Sequence, residues 1–163
     1  YFGDERCVPH DYAESNYGMV MQTLFPNGVP TGCAVFRMEA DAIDQEAAAL
    51  RYSDLLPDSI EVLLLGVGED GHIASLFPNS ASLQESKRRV IPITGPKPPL
   101  ERLTITPQVI TKARSVFVLA AGFAKSAMLC VSLNNKNDIA ALPARLALGG
   151  TWLMDTPLTE NIF

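Results

Sequence analysis

The spacing of apolar positions changes from segment to segment along this chain, and the changes predict alternating strands and helices. Ile60-Glu61-Val62-Leu63-Leu64-Leu65 is a nearly continuous apolar run closed by Gly66. It is too short for a buried helix and β-branched at its start, so it reads as a strand buried on both faces of a parallel sheet. Ser115–Ala121 reads the same way. Arg102-Leu103-Thr104-Ile105-Thr106 alternates strictly, placing Arg102, Thr104 and Thr106 on one face of a strand. Cys33–Arg37, Val90–Thr94 and Trp152–Asp155 are further strand-like runs, and the chain opens as the tail of a strand running into the polar loop Asp4-Glu5-Arg6. Helices are expected from Asn16, capped by Ser15, to about Phe25, and after Asp41 with Ile43, Ala47 and Leu50 on one stripe. Two more are expected from Pro107 to about Ala113 and from Gly122 to about Leu133. Strands alternating with helices predict an α/β domain, a largely parallel sheet flanked by helices, with ligand-binding loops at the C-terminal strand ends.

Composition narrows the function classes. The 163 residues carry 13 Lys+Arg against 18 Asp+Glu, a net charge of −5, which argues against nucleic acid or an anionic membrane as the main partner. No apolar run approaches the ~18–20 residues of a spanning helix, and the longest, Val116–Ala124, is interrupted by Gly122. Cys7, Cys33 and Cys130 form no C-x-x-C pair, so no disulfide framework or metal site is expected, and a cytoplasmic location is. Cys7 adjoins charged residues but no histidine, which makes a reactive thiol the lesser reading. The length suits a single domain over residues 1–163.

The chemistry concentrates after the first apolar run, in Gly66-Val67-Gly68-Glu69-Asp70-Gly71-His72. The glycine spacing satisfies a dinucleotide fingerprint, but Pro78 leaves no room for the long helix that would face a pyrophosphate, and Arg88 and Arg89 stand where a ribose-binding acid belongs. What remains is a glycine loop at a strand end with Asp70 and His72 flanking Gly71, where an imidazole is a natural proton carrier at neutral pH. Lys97 and Arg102, separated by the rigid Pro98-Pro99, suit a phosphate dianion. Lys87-Arg88-Arg89 reads as a solvated face.

Gly3-Asp4-Glu5-Arg6-Cys7-Val8-Pro9 followed by Ser15-Asn16-Tyr17 resembles the G-D-E-R-x-V-P…S-N-Y segment of 6-phosphogluconolactonases. The run from Leu65 to Pro78 resembles their G-x-G-x-D-G-H-x-A-S-L-F-P signature, and Lys97-Pro98-Pro99…Arg102-Leu103-Thr104 and Pro143-Ala144-Arg145-Leu146…Trp152-Leu153-Met154-Asp155 match later segments in order. Glucosamine-6-phosphate deaminases share D-G-H but continue with an A-F-N-E-P-like run, so Ala74-Ser75-Leu76-Phe77-Pro78 favours the lactonase branch.

The resemblance implies a Rossmann-like sugar-phosphate fold and hydrolysis of 6-phosphoglucono-1,5-lactone to 6-phosphogluconate, with no metal or cofactor, by a monomer or homodimer. His72 is the implied general base, oriented by Asp70 or Asp4. Arg6 or the glycine loop at Gly68 and Gly71 would steady the oxyanion, Lys97 and Arg102 would hold the 6-phosphate, and Asn16 and Ser75 would complete the substrate site. The family begins with a phosphate loop and βα units that precede the first motif seen here, so an N-terminally truncated domain with weak or no activity is expected. The alternatives are a deaminase/isomerase-like enzyme and an inactive sugar-phosphate-binding module.

Overall fold

The computed structural model describes residues 1–122, 125 and 138–155, and its strands fall into two three-stranded sheets. The first has the order β1-β4-β3 and is antiparallel, built from β1 (Asp4–Arg6), β3 (Val90–Thr94) and β4 (Glu101–Ile105). The second is parallel, order β2-β5-β6, built from β2 (Val62–Gly66), β5 (Ser115–Ala120) and β6 (Thr151–Met154). The expectation of a largely parallel arrangement thus holds for one sheet only. Asp4-Glu5-Arg6, expected as a loop, is itself a strand, because β4 offers its free edge and pairs Asp4 with Thr104 and Arg6 with Arg102.

Burial also departs from the sequence reading. Leu63 and Leu65 of β2 are buried, but Val62 and Leu64 are 57% and 66% exposed, so the described residues cover this strand on one side. Register places Leu119 and Leu153 on the same open face, and Met19 and Leu24 share a groove with Leu64 without closing over it. Cys33–Arg37 joins no ladder among the described residues; Tyr52 reaches it instead, its hydroxyl 3.2 Å from the Phe36 carbonyl.

Helix α1 (Asn16–Thr23) starts where the sequence places it, with the Ser15 hydroxyl accepting from the Gly18 N–H at 3.1 Å. Helix α2 (Gln45–Leu55) starts later than expected, because Asp44 caps it while Asp41 is engaged by Arg37 and His10. Its buried residues are Ala48, Ala49 and Tyr52, whereas Ile43 and Leu50 face solvent. Arg89, read as part of a solvated face, is partly buried and donates to the carbonyls of Ser53 and Leu56, closing the end of α2. Helix α3 (Pro107–Lys112) lies between the two sheets' last strands in sequence, and the helix expected after Gly122 lies outside the described residues. Among the described residues no helix is long and apolar enough to cross a membrane.

One hydrophobic core joins both sheets: Leu65 and Val118 from the parallel sheet, Leu103 and Ile105 from the antiparallel one, and Ile73 and Leu76 from the segment between β2 and β3. Ile73 and Leu76 are fully buried, and at roughly 1.5–3 kcal/mol per buried aliphatic side chain they anchor the loop that carries Asp70 and His72.

Candidate active site

The chain leaves β2 through Gly66 and folds back at once, Val67 bridging Ile73 and Ile73 bridging Leu76. The turn needs Gly71 at φ 80°, a backbone region that side-chain-bearing residues disfavour. Within it the Gly71 N–H donates to the Gly68 carbonyl at 3.0 Å and the Gly68 N–H to the His72 carbonyl at 2.9 Å. These two glycines are therefore committed to holding the loop, and their N–H groups are not the oxyanion donors expected from sequence. The Ala144 N–H donates to the Gly71 carbonyl at 2.8 Å and ties the loop to the short helical turn Pro143–Ala147.

This turn presents His72 with Asp70 beside it, the imidazole Nδ1 lying 2.5 Å from Asp70 Oδ1. A carboxylate there fixes the proton on Nδ1 and leaves Nε2 as the basic nitrogen. Burial alone would raise the Asp70 carboxyl, but hydrogen bonds from the His72 ring and backbone and the ring's charge outweigh it, and its pKa falls below the ordinary carboxylate value. Gly68 is the floor under this pair: its Cα hydrogens face the His72 ring and the Asp70 carboxylate with no room for a side chain. The other side of the ring meets Phe77, centroids 4.8 Å apart, and Phe77 in turn lies 5.6 Å under the Arg102 guanidinium. Nothing in the sequence pattern marks Phe77 as the spacer between imidazole and guanidinium, since it reads there as an apolar residue before a proline.

The opposite wall comes from β1 and β4. Asp4, Arg6 and Asn16 reach the same cleft as Gly68, His72, Ala74 and Arg102, a space of about 270 Å3. Asn16, first residue of α1, donates from Nδ2 to the Asp4 carbonyl at 2.9 Å and accepts from Arg6 Nη1 at 2.7 Å. Asp4 Oδ2 accepts from the Ser75 hydroxyl at 2.6 Å. Asp70, not Asp4, is thus the partner of the imidazole, and Ser75, fully buried, braces Asp4 and does not line the cleft.

Arg6 and Arg102 stand directly opposite each other across the β1–β4 pair. Burial and then the Arg6 charge press the Arg102 pKa downward, with Asp4 and Cys7 opposing. Arg102 also donates from Nε to the Pro99 carbonyl (3.0 Å) and from Nη2 to the Lys97 carbonyl (3.3 Å), so it holds the loop carrying Lys97. Lys97 is exposed on that loop and is not part of the cleft wall. Arg6 Nε is buried without a hydrogen-bond partner, the one such side-chain atom among the described residues. Cys7 is no thiolate nucleophile, because burial first, then Glu101 and Glu5, push its thiol up to about 11.

A larger groove of about 550 Å3 runs along Ser80–Arg88 and β3, but it contains no histidine, and its Arg88 is held by Glu85 and Glu46. Imidazole, paired carboxylate and cations converge only in the smaller cleft, among the described residues. No group of three or more His, Cys, Asp or Glu side chains arranged to hold a metal ion occurs among the described residues.

The chain is 38% identical to 6-phosphogluconolactonase of Rattus norvegicus over 94% of its own length and 64% of the rat protein. It is 37% identical to 6-phosphogluconolactonase of Streptomyces coelicolor, covering 99% of this chain and 69% of that one. The solved structure of 6-phosphogluconolactonase from Trypanosoma brucei superposes with a TM-score of 0.76 at 32% identity, covering 99% of this chain and 73% of that one. The chain therefore spans just under two thirds of the rat relative's length. The sequence profile of glucosamine-6-phosphate isomerases/6-phosphogluconolactonase matches residues 1–154, and with these relatives it establishes that the chain belongs to that family.

Proposed function

We propose that this protein hydrolyses 6-phosphoglucono-1,5-lactone to 6-phosphogluconate in the pentose phosphate pathway, with His72 as general base. The observation that carries the reading is the 2.5 Å contact between His72 Nδ1 and Asp70 in the cleft that Arg6 and Arg102 also line. The similarity to lactonases at 37–38% identity points the same way.

A lactone carbonyl is already electrophilic, so the protein's task is to hold the substrate and take one proton from water. His72 Nε2 accepts that proton as the water oxygen bonds to C1. The Asp70 carboxylate stabilises the resulting imidazolium. When the C1–ring-oxygen bond breaks, the same proton passes from Nε2 to the departing ring oxygen, leaving an open-chain acid that ionises. Arg6 and Arg102 form the anion end of the cleft, where a phosphate dianion relieves the repulsion of two opposed guanidiniums. Lys97, on the loop Arg102 holds, adds a further cation. Asn16 and Asp4 orient Arg6 and complete the polar wall.

The test is lactone hydrolysis above the spontaneous rate, together with binding of 6-phosphogluconate, in wild type and His72→Ala. The variant is expected to lose the enzymic rate and keep product affinity. A retained rate removes the general-base assignment, and release of ammonia from glucosamine 6-phosphate by the wild type replaces the lactonase reading with a deaminase one.

A further inference from the structure

Glu5 has no place in the scheme above, yet it is one of the most completely bonded side chains in the molecule. It is 3% exposed. Oε1 accepts from the backbone N–H groups of Arg6 and Asn16, both at 2.8 Å. Oε2 accepts from the Tyr17 N–H at 2.7 Å and the Ser15 hydroxyl at 3.1 Å. Strand alternation turns Glu5 to the face opposite Asp4 and Arg6, so it points away from the cleft and into the first turn of α1.

Four donors and no acceptor surround this side chain, a demand that an ionised carboxylate meets and an amide does not. The two strand neighbours of Glu5 are cleft residues, and both are gripped by Asn16, whose own N–H Glu5 holds. Asn16 Nδ2 donates to the Asp4 carbonyl at 2.9 Å and carboxylate at 3.3 Å, while its Oδ1 accepts from Arg6 Nη1. β1 is only three residues long, too short for its ladder to set the side chains of Asp4 and Arg6 unaided. We propose that Glu5 is a positioning residue for the anion end of the cleft: it docks the start of α1 on β1, and through Asn16 it fixes the Arg6 guanidinium that receives the phosphate.

The proposal rests on reading the cleft as a sugar-phosphate site and deepens it. Glu5→Gln turns an N–H2 group toward N–H donors, so Asn16 and then Arg6 shift. KM for the lactone and Kd for 6-phosphogluconate should each rise about tenfold, the size of a lost charge-assisted hydrogen bond. kcat should fall by less than about threefold, because His72 and Asp70 stand on a separate loop. Affinity for unphosphorylated gluconate should not move, and Glu5→Asp, which keeps the charge at shorter reach, should restore part of the loss.

Should Glu5→Gln fail to fold, Asn16→Ala removes the relay and leaves the Glu5 bonds to the backbone. It should raise KM similarly, and adding Glu5→Asp to it should raise KM no further. Either variant lowering only the melting temperature, with KM and Kd unchanged, makes Glu5 purely structural and overturns the proposal. A fall in kcat at constant KM overturns it as well. A wild type that binds 6-phosphogluconate and inorganic phosphate but hydrolyses nothing defeats the lactonase reading alone, since weaker phosphate binding by Glu5→Gln would still support the positioning role. A wild type that binds neither overturns both.

Discussion

Gly68→Ala tests the proposed base most directly, because it touches no titratable group yet reaches two. A Cβ at this position would overlap Cε1 and Nδ1 of His72 and come within 2.7 Å of Asp70 Oδ1. Ordinary carbon contacts lie at roughly 3.5–4.0 Å, so the imidazole must retreat by on the order of 1 Å. No left-handed backbone is involved at Gly68, unlike Gly71, so the chain itself accepts alanine. The ring cannot retreat freely either, for Phe77 stands 4.8 Å away on its other side. The 2.5 Å Nδ1–Oδ1 contact must therefore lengthen or break. A hydrogen bond between charged groups is worth about 1.5–3 kcal/mol, and a 1 Å misplacement of a reacting group costs about 10²-fold in rate. kcat for lactone hydrolysis, with the spontaneous reaction subtracted, should fall about 10²-fold, while the Kd for 6-phosphogluconate should change less than about threefold, since Arg6 and Arg102 come from β1 and β4. Full activity in the variant would refute the argument that Gly68 is required by this pair.

Asp70→Asn should lower kcat on the order of 10²-fold, toward the lower end for loss of assisted proton transfer. Because the Asp70 carboxyl is held below its ordinary value of 3.8, its contribution to stability is complete above that value and is lost as the pH falls through the lower folded-state pKa. Urea midpoints of wild type and Asp70→Asn, compared from about pH 5 to about pH 2.5, should therefore converge at the acid end. Tyr52→Phe removes the hydroxyl that accepts from the Phe2 N–H at 2.6 Å and lies 3.2 Å from the Phe2 and Phe36 carbonyls. It should destabilise the fold by about 1–3 kcal/mol in urea unfolding. Iodoacetamide at neutral pH should modify exposed Cys33 and spare Cys7, whose thiol is pushed up to about 11, as peptide mass mapping will show.

Local signals carried much of this fold. Ser15 capped a helix because its hydroxyl is a good acceptor for the free N–H groups of a first turn, and that chemistry is written in four consecutive residues. The run before Gly66 announced a strand, but not which of its faces the described residues would cover, since the covering layer is set by distant parts of the chain. The strand at Asp4–Arg6 was illegible for the same reason: three charged residues make a strand only because β4 supplies a ladder edge. Asp70 and His72 were readable because glycines framed them. Which carboxylate would orient the imidazole was not, and neither was Glu5, whose place depends on reading its segment as a strand with two faces.

The opposed guanidiniums of Arg6 and Arg102 bear on how the protein behaves in a test tube. Like charges facing each other across a strand pair weaken the empty fold, and an oxyanion between them turns the same proximity into attraction. On the proposed reading of the cleft, affinity for the dianion and fragility without it are two readings of one free energy. By linkage, if the proposed phosphate site is there, a buffer rich in phosphate or sulfate should add RT ln(1 + [L]/Kd) to the apparent stability, and melting curves recorded in phosphate should lie above those recorded in an amine buffer.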